Sequence, residues 1–305
     1  MEQSFLAWVR GRVRKLPQVA VGIGDDAAVL DWPSDQQMVT CVDTITDGVD
    51  FVLADHALAD IGHKAIAVNL SDIAAMGARP TAALIAISLP EHGATETAAG
   101  VYDGILATAE RYGVAIAGGD INCYDGPLSI SITLIGSVSP GQSPWLRSGA
   151  EVGDVVLVTG PLGGSILEKH LTFQPRIELT EKLRKQFVIH AAMDISDGLL
   201  LDLDRLCAAS GCGIELDLTS IPISDAARER GQQENTDPLD HALGDGEDFE
   251  LVLCCDQENA TAILSSNEFD GLTQIGTMTS RTGLWSKLPN RLERLLPRGY
   301  VRGTS

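Results

Sequence analysis

Carboxylates recur in the first half of the chain at positions where they could act together. In VGIGDDAAVL, residues 21–30, Asp25 and Asp26 stand side by side between a glycine-rich turn and an apolar run. Adjacent carboxylates repel each other unless a cation, a cluster of donors or open water offsets the repulsion. Asp43 and Asp120 follow the apolar segments QMVTCV and VAIAGG, at the predicted carboxyl ends of strands, where open α/β sheets bind ligands. Such hard oxygen ligands are typical of Mg²⁺ held between carboxylates and substrate phosphates.

A fifth carboxylate lies on a predicted helix. In ALADIGHKAIAVNLSDIAAMGA, Asn69 and Asp72 are three residues apart and share one face of a helix whose other faces are apolar. Simpler alternatives exist: Asp25 and Asp26 could form a solvated turn, and Asn69 and Asp72 a satisfied polar pair within the helix layer. Separate turns and caps explain only some of these carboxylates, so we predict a shared site for Mg²⁺ and a nucleotide.

The second half carries a further acidic motif, MDISDGL. Its residues Asp194, Ser196 and Asp197 stand together before an apolar helix. The alternative to ligand binding is a structural role as N-caps and turn formers. The segment TGPLGGS, residues 159–165, is similar to a phosphate loop but lacks the G-K-[ST] ending, and we interpret it as a turn between a strand and a helix.

Alternating strand and helix patterns position these motifs. After a short N-terminal helix, the patterns predict strands at QMVTCV, TAALIAISL, VAIAG and LSISITLIGSV, and helices at residues 57–78 and 95–113. A Ser-, Pro- and Gly-rich stretch at residues 139–154 predicts a domain junction. Beyond it, VVLVTG and GIELDL are predicted strands, and AAMDISDGLLLDLDRLCAASG is a predicted helix that ends at Gly211. We therefore expect a mixed α/β (α+β) protein with two domains, at residues 1–140 and 147–305.

Composition excludes several classes of function. The 305 residues carry a net charge of -20, and no cluster of Lys and Arg suits a nucleic acid or an anionic membrane. The six cysteines show neither a C-x-x-C pair nor zinc-like spacing, which indicates reduced thiols. The N-terminal residues have basic groups after a short apolar patch, the reverse of a signal peptide, and no apolar run is long enough to span a bilayer. We expect a cytoplasmic protein.

Seven motifs resemble, in order and approximate spacing, those of the thiamine-monophosphate kinases. They are GIGDDAAVL, DTITDGVDF, KAIAVNLSDIAAMGARP, AGGD, RSGAEVGDVVLVTG, MDISDGLLLDL and GEDFEL. That family shares a superfamily with aminoimidazole ribonucleotide synthetase, selenophosphate synthetase and a hydrogenase maturation factor. The resemblance implies two α/β domains of the aminoimidazole ribonucleotide synthetase-like fold and a homodimer whose N-terminal domains pair through their strands. It also implies ATP as co-substrate, bound near that interface with several Mg²⁺ ions.

The resemblance assigns roles to individual residues of this chain. The implied metal ligands are Asp26, Asp43, Asp72, Asp120, Asp194 and Asp197, although the residues leave open which of Asp25 and Asp26 binds. The implied nucleotide contacts are Tyr102, Gly119, Asp120, Arg147 and Ser196. The implied substrate contacts are Asp50, Glu247 and Tyr300. For Tyr102 and Tyr300 the alternative is ordinary packing in the core or at the surface.

The implied reaction transfers the γ-phosphoryl group of ATP to the phosphate of thiamine monophosphate, giving thiamine diphosphate and ADP. The acceptor phosphate is already anionic near neutral pH, so no side chain has to deprotonate it. Catalysis then depends on in-line positioning and on neutralisation of charge by Mg²⁺ and Arg.

The sequence departs from the family pattern in three places. Asp50 stands where family members commonly carry His, and it would repel a substrate phosphate unless it is protonated or recruits a metal. Ile121 replaces the usual Thr after G-G-D, NCYDG replaces the following Thr-Arg-Gly, and the segment between TGPLGGS and MDISDGL is short. Two alternatives therefore stay open: a related ATP-dependent enzyme acting on another small phosphate or carboxylate, and a catalytically inactive nucleotide-binding homologue.

Overall fold

The computed structural model describes residues 2–14, 16–23, 27–167, 169–288 and 291–301, without the side chains of residues 2–6. Backbone contacts divide the chain into two units. The first comprises Met1–Ile73 and Ala78–Pro144, and the second comprises Ala74–Gly77 and Trp145–Ser305.

The first unit is built on a four-stranded sheet. Its elements are α1 (Glu2–Arg12), β1 (Val19–Val21), β2 (Val29–Leu30), β3 (Met38–Thr46), α2 (Leu58–Ala75), β4 (Arg79–Pro90), α3 (Ala94–Tyr112), β5 (Ala115–Tyr124) and β6 (Ser129–Ser137). The strand order is β3-β6-β4-β5, with β6 antiparallel to both neighbours and β5 parallel to β4. The separate β1–β2 hairpin contributes Val19 and Leu30, which pack against Ala82 and Ala117.

The period-two pattern of β6 separates the two faces of this sheet. Ile130, Ile132 and Leu134 are buried on one face, because alternate side chains of a strand point to opposite sides. On the other face, Val42 of β3 and Leu84 of β4 are 61% and 36% exposed. The first unit thus has one fully packed sheet face and one face that leaves apolar side chains open.

The second unit is built on a seven-stranded mixed sheet. Its elements are β7 (Val155–Val158), α4 (Ile177–Gln186), β8 (Ala191–Asp194), α5 (Leu199–Ser210), β9 (Gly213–Leu216), α6 (Asp225–Glu234), α7 (Pro238–Gly244), β10 (Leu251–Cys255), α8 (Gln257–Leu264), β11 (Thr273–Thr279), β12 (Gly283–Leu288) and β13 (Arg291–Leu295). Short 3-10 turns lie at Ser165–Leu167, Leu218–Ser220 and Asn267–Phe269. The strand order is β13-β12-β9-β11-β7-β10-β8, and all pairs are antiparallel except β12 with β9. The α/β (α+β) class is therefore confirmed.

The second unit includes a four-residue segment, Ala74–Gly77, from the first half of the sequence. The Trp145 backbone N–H donates to the carbonyl oxygen of Met76 over 2.9 Å, and the Thr180 hydroxyl donates to that of Ala74 over 3.3 Å. The Arg184 guanidinium lies 5.1 Å from the centroid of the Trp145 ring, which is nearly fully buried. These contacts make the segment part of the packing of the second unit.

Three predicted elements differ from the structure. The predicted helix over residues 191–211 is wrong in its first part, because Ala191–Asp194 form β8 and the helix begins only at Leu199. Gly198 separates the two with φ 117°, a value that cannot continue a helix, whereas the predicted end at Gly211 is confirmed. Strands β3 and β5 also continue past their predicted ends, since the β-forming residues after Asp43 and Asp120 extend the pairing.

All six cysteines are free thiols, as the sequence predicts. Four are buried and two, Cys41 and Cys123, are half-buried. Within the described ranges, no helix combines the length and the apolar character needed to cross a lipid bilayer.

Candidate functional site

In the first unit, Asn69 holds β3 against α2. Its side-chain oxygen accepts the Asp43 backbone N–H over 3.2 Å, and its amide nitrogen donates to the Ala65 carbonyl oxygen over 3.1 Å. The Cys41 thiol lies 3.5 Å and 3.6 Å from the backbone and side-chain oxygens of Asn69. Because Asn69 is fully buried and satisfied by these contacts, it fixes where the Asp43 backbone lies.

The carboxylates of Asp43 and Asp72 both act on the Cys41 thiol. Burial, the charges of Asp72 and Asp43, and a hydrogen bond with Asp72 raise the pKa of Cys41 well above its ordinary value. These half-buried carboxylates create a negative potential around the thiol, and a hard divalent cation would neutralise it. The donor chemistry of this pair therefore fits Mg²⁺.

Asp120 lies on the other face of the same sheet. Asp43 lies in one cross-strand row of the sheet, with Ile132 and Ile85. Asp120 lies in another row, with Ala86 and Ser131. These are successive rows of the sheet, and successive rows point to opposite faces. The expectation that Asp43 and Asp120 terminate strands is wrong, since both lie inside them.

Gly119 precedes Asp120 in β5, and packing explains why this position lacks a side chain. A Cβ atom there would lie 2.0 Å from the carbonyl oxygen of Ile85 on β4, so only glycine allows the two strands to approach. Asp120 and Gly119 line an open cavity together with Ser131 and Thr133. The predicted ligand contacts of Gly119 and Asp120 stay predictions.

Asp50 closes a turn after β3. Its carboxylate accepts the Thr46 backbone N–H over 2.8 Å, and its own N–H donates to the Thr46 carbonyl oxygen over 3.0 Å. The almost fully buried Lys64 donates from Nζ to the Asp50 carbonyl oxygen over 2.8 Å. The turn thus gives the unusual carboxylate a backbone hydrogen-bond donor, and it brings the Lys64 cation to the Asp50 carbonyl oxygen.

One further predicted residue of the first half, Tyr102, lies in the core of its unit. Tyr102 lies on the packed side of α3 with 5% of its surface exposed, and burial raises its pKa to about 12. Core packing therefore describes its surroundings, and nucleotide contact stays a prediction. Asp25 and Asp26, including the predicted ligand Asp26, lie outside the described residues.

In the second unit, backbone hydrogen bonds gather the predicted residues around the loop that follows β8. The Glu247 N–H donates to the Ser196 carbonyl oxygen over 2.7 Å, and the Tyr300 N–H donates to the Asp197 carbonyl oxygen over 2.8 Å. Asp194 ends β8 directly before this loop and is buried. The MDISDGL motif therefore brings one predicted nucleotide contact, two predicted metal ligands and two predicted substrate contacts together.

A carboxylate that the sequence analysis missed holds this loop in shape. The backbone N–H groups of Ser196, Asp197 and Gly198 all donate to Oδ2 of Asp202, at 3.1, 3.0 and 3.2 Å. Its other oxygen accepts from Nη1 of Arg205 over 2.8 Å. Asp202 is fully buried in the first turn of α5, and the cap residue Gly198 offers no side chain. The alternative of Asp194 and Ser196 as N-caps of this helix is therefore wrong.

The segment TGPLGGS is a turn, as interpreted, and its amides bind carboxylates of the same chain. Gly163 N–H donates to Asp248 Oδ1 over 2.8 Å, and Gly164 N–H donates to Asp245 Oδ2 over 3.0 Å. In the loop that carries Asp245 and Asp248, Glu247 has φ 54° and Phe249 has φ 50°, values that are strained for residues with side chains. The turn thus packs against the loop that carries Glu247 and holds it through these two hydrogen bonds.

A buried ion cluster follows on the same loop. Glu250 accepts from Arg176 Nε over 2.7 Å and Nη2 over 2.5 Å, from the Thr159 hydroxyl over 2.7 Å and from Lys169 Nζ over 3.4 Å. Burial alone would raise the pKa of Glu250, but Arg176 and Lys169 hold it below its ordinary value. The GEDFEL motif contained a sequence signal for this cluster, because a carboxylate next to a buried strand usually needs a cation nearby.

Arg147 is the predicted phosphate contact in the second unit, and its side chain is exposed. Its carbonyl oxygen accepts from the Ser210 hydroxyl over 2.9 Å. Over the part of the chain that the structure describes, no group of three or more His, Cys, Asp and Glu side chains is arranged to hold a metal ion. The six predicted ligands are also distributed over both units, so their shared role stays a prediction.

Comparison with known proteins identifies the family. The family model "AIR synthase related protein, N-terminal domain" matches residues 24–138, and its C-terminal counterpart matches residues 151–286. A thiamine-monophosphate kinase of Rhodopirellula baltica is 54% identical over 311 residues, covering 99% of this chain and 98% of that protein.

Solved structures agree with these sequence matches. Thiamine-monophosphate kinase from Stenotrophomonas maltophilia K279a has a TM-score of 0.81 at 35% identity, covering 92% of this chain and 95% of that one. AaThiL complexed with AMPPCP and TMP has a TM-score of 0.78 at 29% identity, covering 91% of this chain and 90% of that one. The chain therefore belongs to the AIR synthase related family, within the group of the thiamine-monophosphate kinases.

Proposed function

We propose that this chain transfers the γ-phosphoryl group of ATP to thiamine monophosphate, giving thiamine diphosphate and ADP. The observation that carries the proposal is the loop after β8, where Ser196, Asp197, Glu247 and Tyr300 are joined by two backbone hydrogen bonds. The AMPPCP and TMP bound to AaThiL, a relative similar over 91% of this chain, are the corresponding nucleotide analogue and acceptor.

We assign the residues to three tasks. Arg147 and Ser196 contact the phosphates of the nucleotide, and the guanidinium of Arg147 suits this task because it can bind two phosphate oxygens at once. Tyr102 and Gly119 contact the rest of the nucleotide. Glu247 and the half-exposed Tyr300 hold the thiamine moiety, whose cationic ring suits a carboxylate and an aromatic face. Asp50 shapes the turn that faces the acceptor phosphate.

Mg²⁺ is the proposed metal, and when bound it would neutralise the charge of the transferring phosphoryl group. Asp26, Asp43, Asp72, Asp120, Asp194 and Asp197 are the proposed ligands of several such ions. The negative potential around Cys41 supports this assignment for Asp43 and Asp72. The side chains themselves orient the two substrates, and none has to remove a proton from the acceptor phosphate.

The test is product formation by the purified full-length chain. With ATP, thiamine monophosphate and saturating Mg²⁺, we expect thiamine diphosphate and ADP in equal amounts by chromatography. Asp72→Asn should lower kcat/KM at least about a hundredfold, because a metal ligand is lost. The matched control Asp125→Asn removes an exposed carboxylate of the same unit and should keep activity. Nucleotide binding without any product would instead favour the inactive homologue, and turnover of another acceptor would favour the related enzyme.

We also propose a homodimer in which the open sheet faces of two copies meet. Val42 and Leu84, 61% and 36% exposed, form an apolar surface that a second copy of the same sheet would cover. Val42→Lys should shift the mass measured by light scattering from two chains toward one. Val188→Lys, at a position with the same 61% exposure in the second unit, is the control and should leave the mass unchanged.

A cytoplasmic location completes the proposal, because ATP and Mg²⁺ are available to an enzyme there. Fractionation of cells with an antibody against the chain tests it. Recovery in the cytosolic fraction is expected, and recovery elsewhere contradicts it.

A further inference from the structure

Asp197, a proposed metal ligand, has a cation of the chain itself beside its carboxylate. Nη1 of Arg205 lies 2.5 Å from Asp197 Oδ2 and 2.8 Å from Asp202 Oδ1, so a single nitrogen serves two carboxylates. A guanidinium this close takes up the charge and the lone pairs that a metal ion would need. We propose that Arg205 is a displaceable counter-ion of Asp197, which holds the carboxylate before a metal ion binds and leaves it when the ion arrives. The inference rests on the proposed function, which makes Asp197 a metal ligand.

The two carboxylates that Arg205 contacts differ in their freedom. Asp202 is fully buried, and three backbone N–H groups fix its position. The side chain of Asp197 is 28% exposed, and that of Arg205 is 38% exposed. The Arg205–Asp197 contact is therefore the one that water and ions reach, while the Arg205–Asp202 contact acts as an anchor. Arg205 can leave Asp197 without leaving the site.

The charge around the loop explains why a counter-ion is needed. Asp194, Asp197 and Asp202 lie within nine residues, and Asp194 and Asp202 are buried. Without a cation they would raise the free energy of the folded loop by mutual repulsion. Arg205 supplies one positive charge, which is enough to stabilise the metal-free loop but weaker than a divalent ion at the same oxygens. A metal ion that binds Asp197 then has to compete with Arg205 for the carboxylate.

The consequence concerns the order of binding. An ion alone has to displace the guanidinium, whereas an ion that arrives with a triphosphate brings anionic oxygens that the released guanidinium can approach. Arg205 would therefore weaken metal binding to the free protein and make it depend on the nucleotide. This predicts that removal of Arg205 tightens metal binding in the absence of nucleotide.

The test uses Mn²⁺ as the probe and the electron paramagnetic resonance signal of free Mn²⁺ as the readout. Full-length protein without nucleotide is titrated as wild type, Arg205→Gln, Arg205→Lys and Arg294→Gln. We expect Arg205→Gln to bind Mn²⁺ about two- to fivefold more tightly, within the range of a partly exposed ion pair. Arg205→Lys keeps the cation and should lie between wild type and Arg205→Gln. Arg294, exposed on β13, is the control for loss of one positive charge, and its variant should bind like wild type.

Two further measurements make the outcome decisive. The gain should vanish in the double variant Arg205→Gln with Asp197→Asn, because the ion then lacks its ligand. Unchanged or weaker binding by Arg205→Gln, or a gain that persists in the double variant, overturns the inference. Should Arg205→Gln fail to fold, equal binding by wild type and Arg205→Lys overturns it. The kinase assay of the wild type is run in parallel. A wild type without kinase activity would overturn the proposed function, whereas an active wild type with no gain in Mn²⁺ binding by Arg205→Gln would overturn only the role of Arg205.

Discussion

The backbone N–H of Tyr300 donates a hydrogen bond to the carbonyl oxygen of Asp197 over 2.8 Å. This contact joins a residue near the end of the chain to the loop after β8, over a hundred positions earlier. It places an aromatic residue, proposed to hold the acceptor, beside a carboxylate that is proposed to bind metal. The C-terminal segment is therefore part of the candidate site.

The close approach of this segment depends on Gly299. A Cβ atom at residue 299 would lie 2.2 Å from the Asp197 carbonyl oxygen and 2.9 Å from Leu201 Cβ. Gly299→Ala should therefore displace Tyr300 and raise KM for thiamine monophosphate about tenfold, with a smaller change for ATP. Gly244→Ala is the control, because its Cβ would meet Arg298 at an ordinary 3.5 Å. Equal changes in both KM values would contradict a local effect on the acceptor.

Asp248 gives the stability of the protein a pH dependence. Burial raises its pKa to about 7, the charge of Lys169 and the Gly163 N–H oppose this, and Oδ2 has no hydrogen-bond partner among the described residues. The folded state thus holds a proton that the unfolded state releases near pH 4. The stabilisation is fully present below that pH and is lost as the pH rises through about 7.

Asp248→Asn stays neutral and keeps an oxygen for Gly163. Relative to wild type, the variant should gain about 2–3 kcal/mol in free energy of unfolding between pH 5 and pH 8. Urea denaturation at both pH values measures this difference. Asp270→Asn, which removes an exposed carboxylate of the same unit, tests whether loss of charge alone has the effect. A difference that is constant with pH would refute the assignment.

Arg176 and Lys182 should differ strongly in their contribution to stability. Arg176 binds Glu250, whose side chain is only 4% exposed, whereas Lys182 lies 3.8 Å from the exposed Glu268. Arg176→Ala leaves a buried charge with Lys169 as its one remaining ion-pair partner among the described residues, and it should cost about 3 kcal/mol. Lys182→Ala should cost less than about 1 kcal/mol. Chemical denaturation of both variants checks the contrast, and similar losses would contradict it.

The thiols should react at very different rates. Burial raises the pKa of Cys207 and of Cys255 to about 12, and it raises the pKa of Cys41, Cys212 and Cys254 as well. Cys123 is half-buried on β5. With a disulfide reagent at pH 8, one thiol should react fast in the folded protein. Cys123→Ser should remove this fast phase, and Cys41→Ser should retain it; the opposite pattern is the contrary result.

The sequence predicted the elements of the fold well where one pattern dominates. The long helix around Asn69 and Asp72 and the alternating strand β6 have unambiguous periods, so their type and approximate bounds follow from the residues. The strand β8 does not, because Ala-Ala-Met fits a helix as well as a strand. Its pairing with β10 decides the outcome, and that pairing joins residues about sixty positions apart.

The sequence was sufficient to predict which residue types form the candidate site. It was not sufficient to predict the residues that hold them in position. Asp194, Ser196 and Asp197 stand out as a motif, whereas Asp202 and Arg205 resemble the polar face of an ordinary amphipathic helix. Their role depends on three backbone N–H groups that only the turn at Gly198 directs toward one oxygen. Similarly, Gly119 is a plausible ligand contact in the sequence, and the closeness of Ile85 becomes visible only when β4 and β5 pair.

The segment Ala74–Gly77 limits how this protein can be taken apart. A recombinant fragment that starts at Trp145 would lack the Met76 carbonyl that binds the Trp145 amide and would uncover the indole ring. Exchange of the C-terminal half between relatives would have to transfer these four residues as well, although they lie about seventy positions upstream. Gene fusion or domain shuffling at the obvious junction would therefore produce a damaged product.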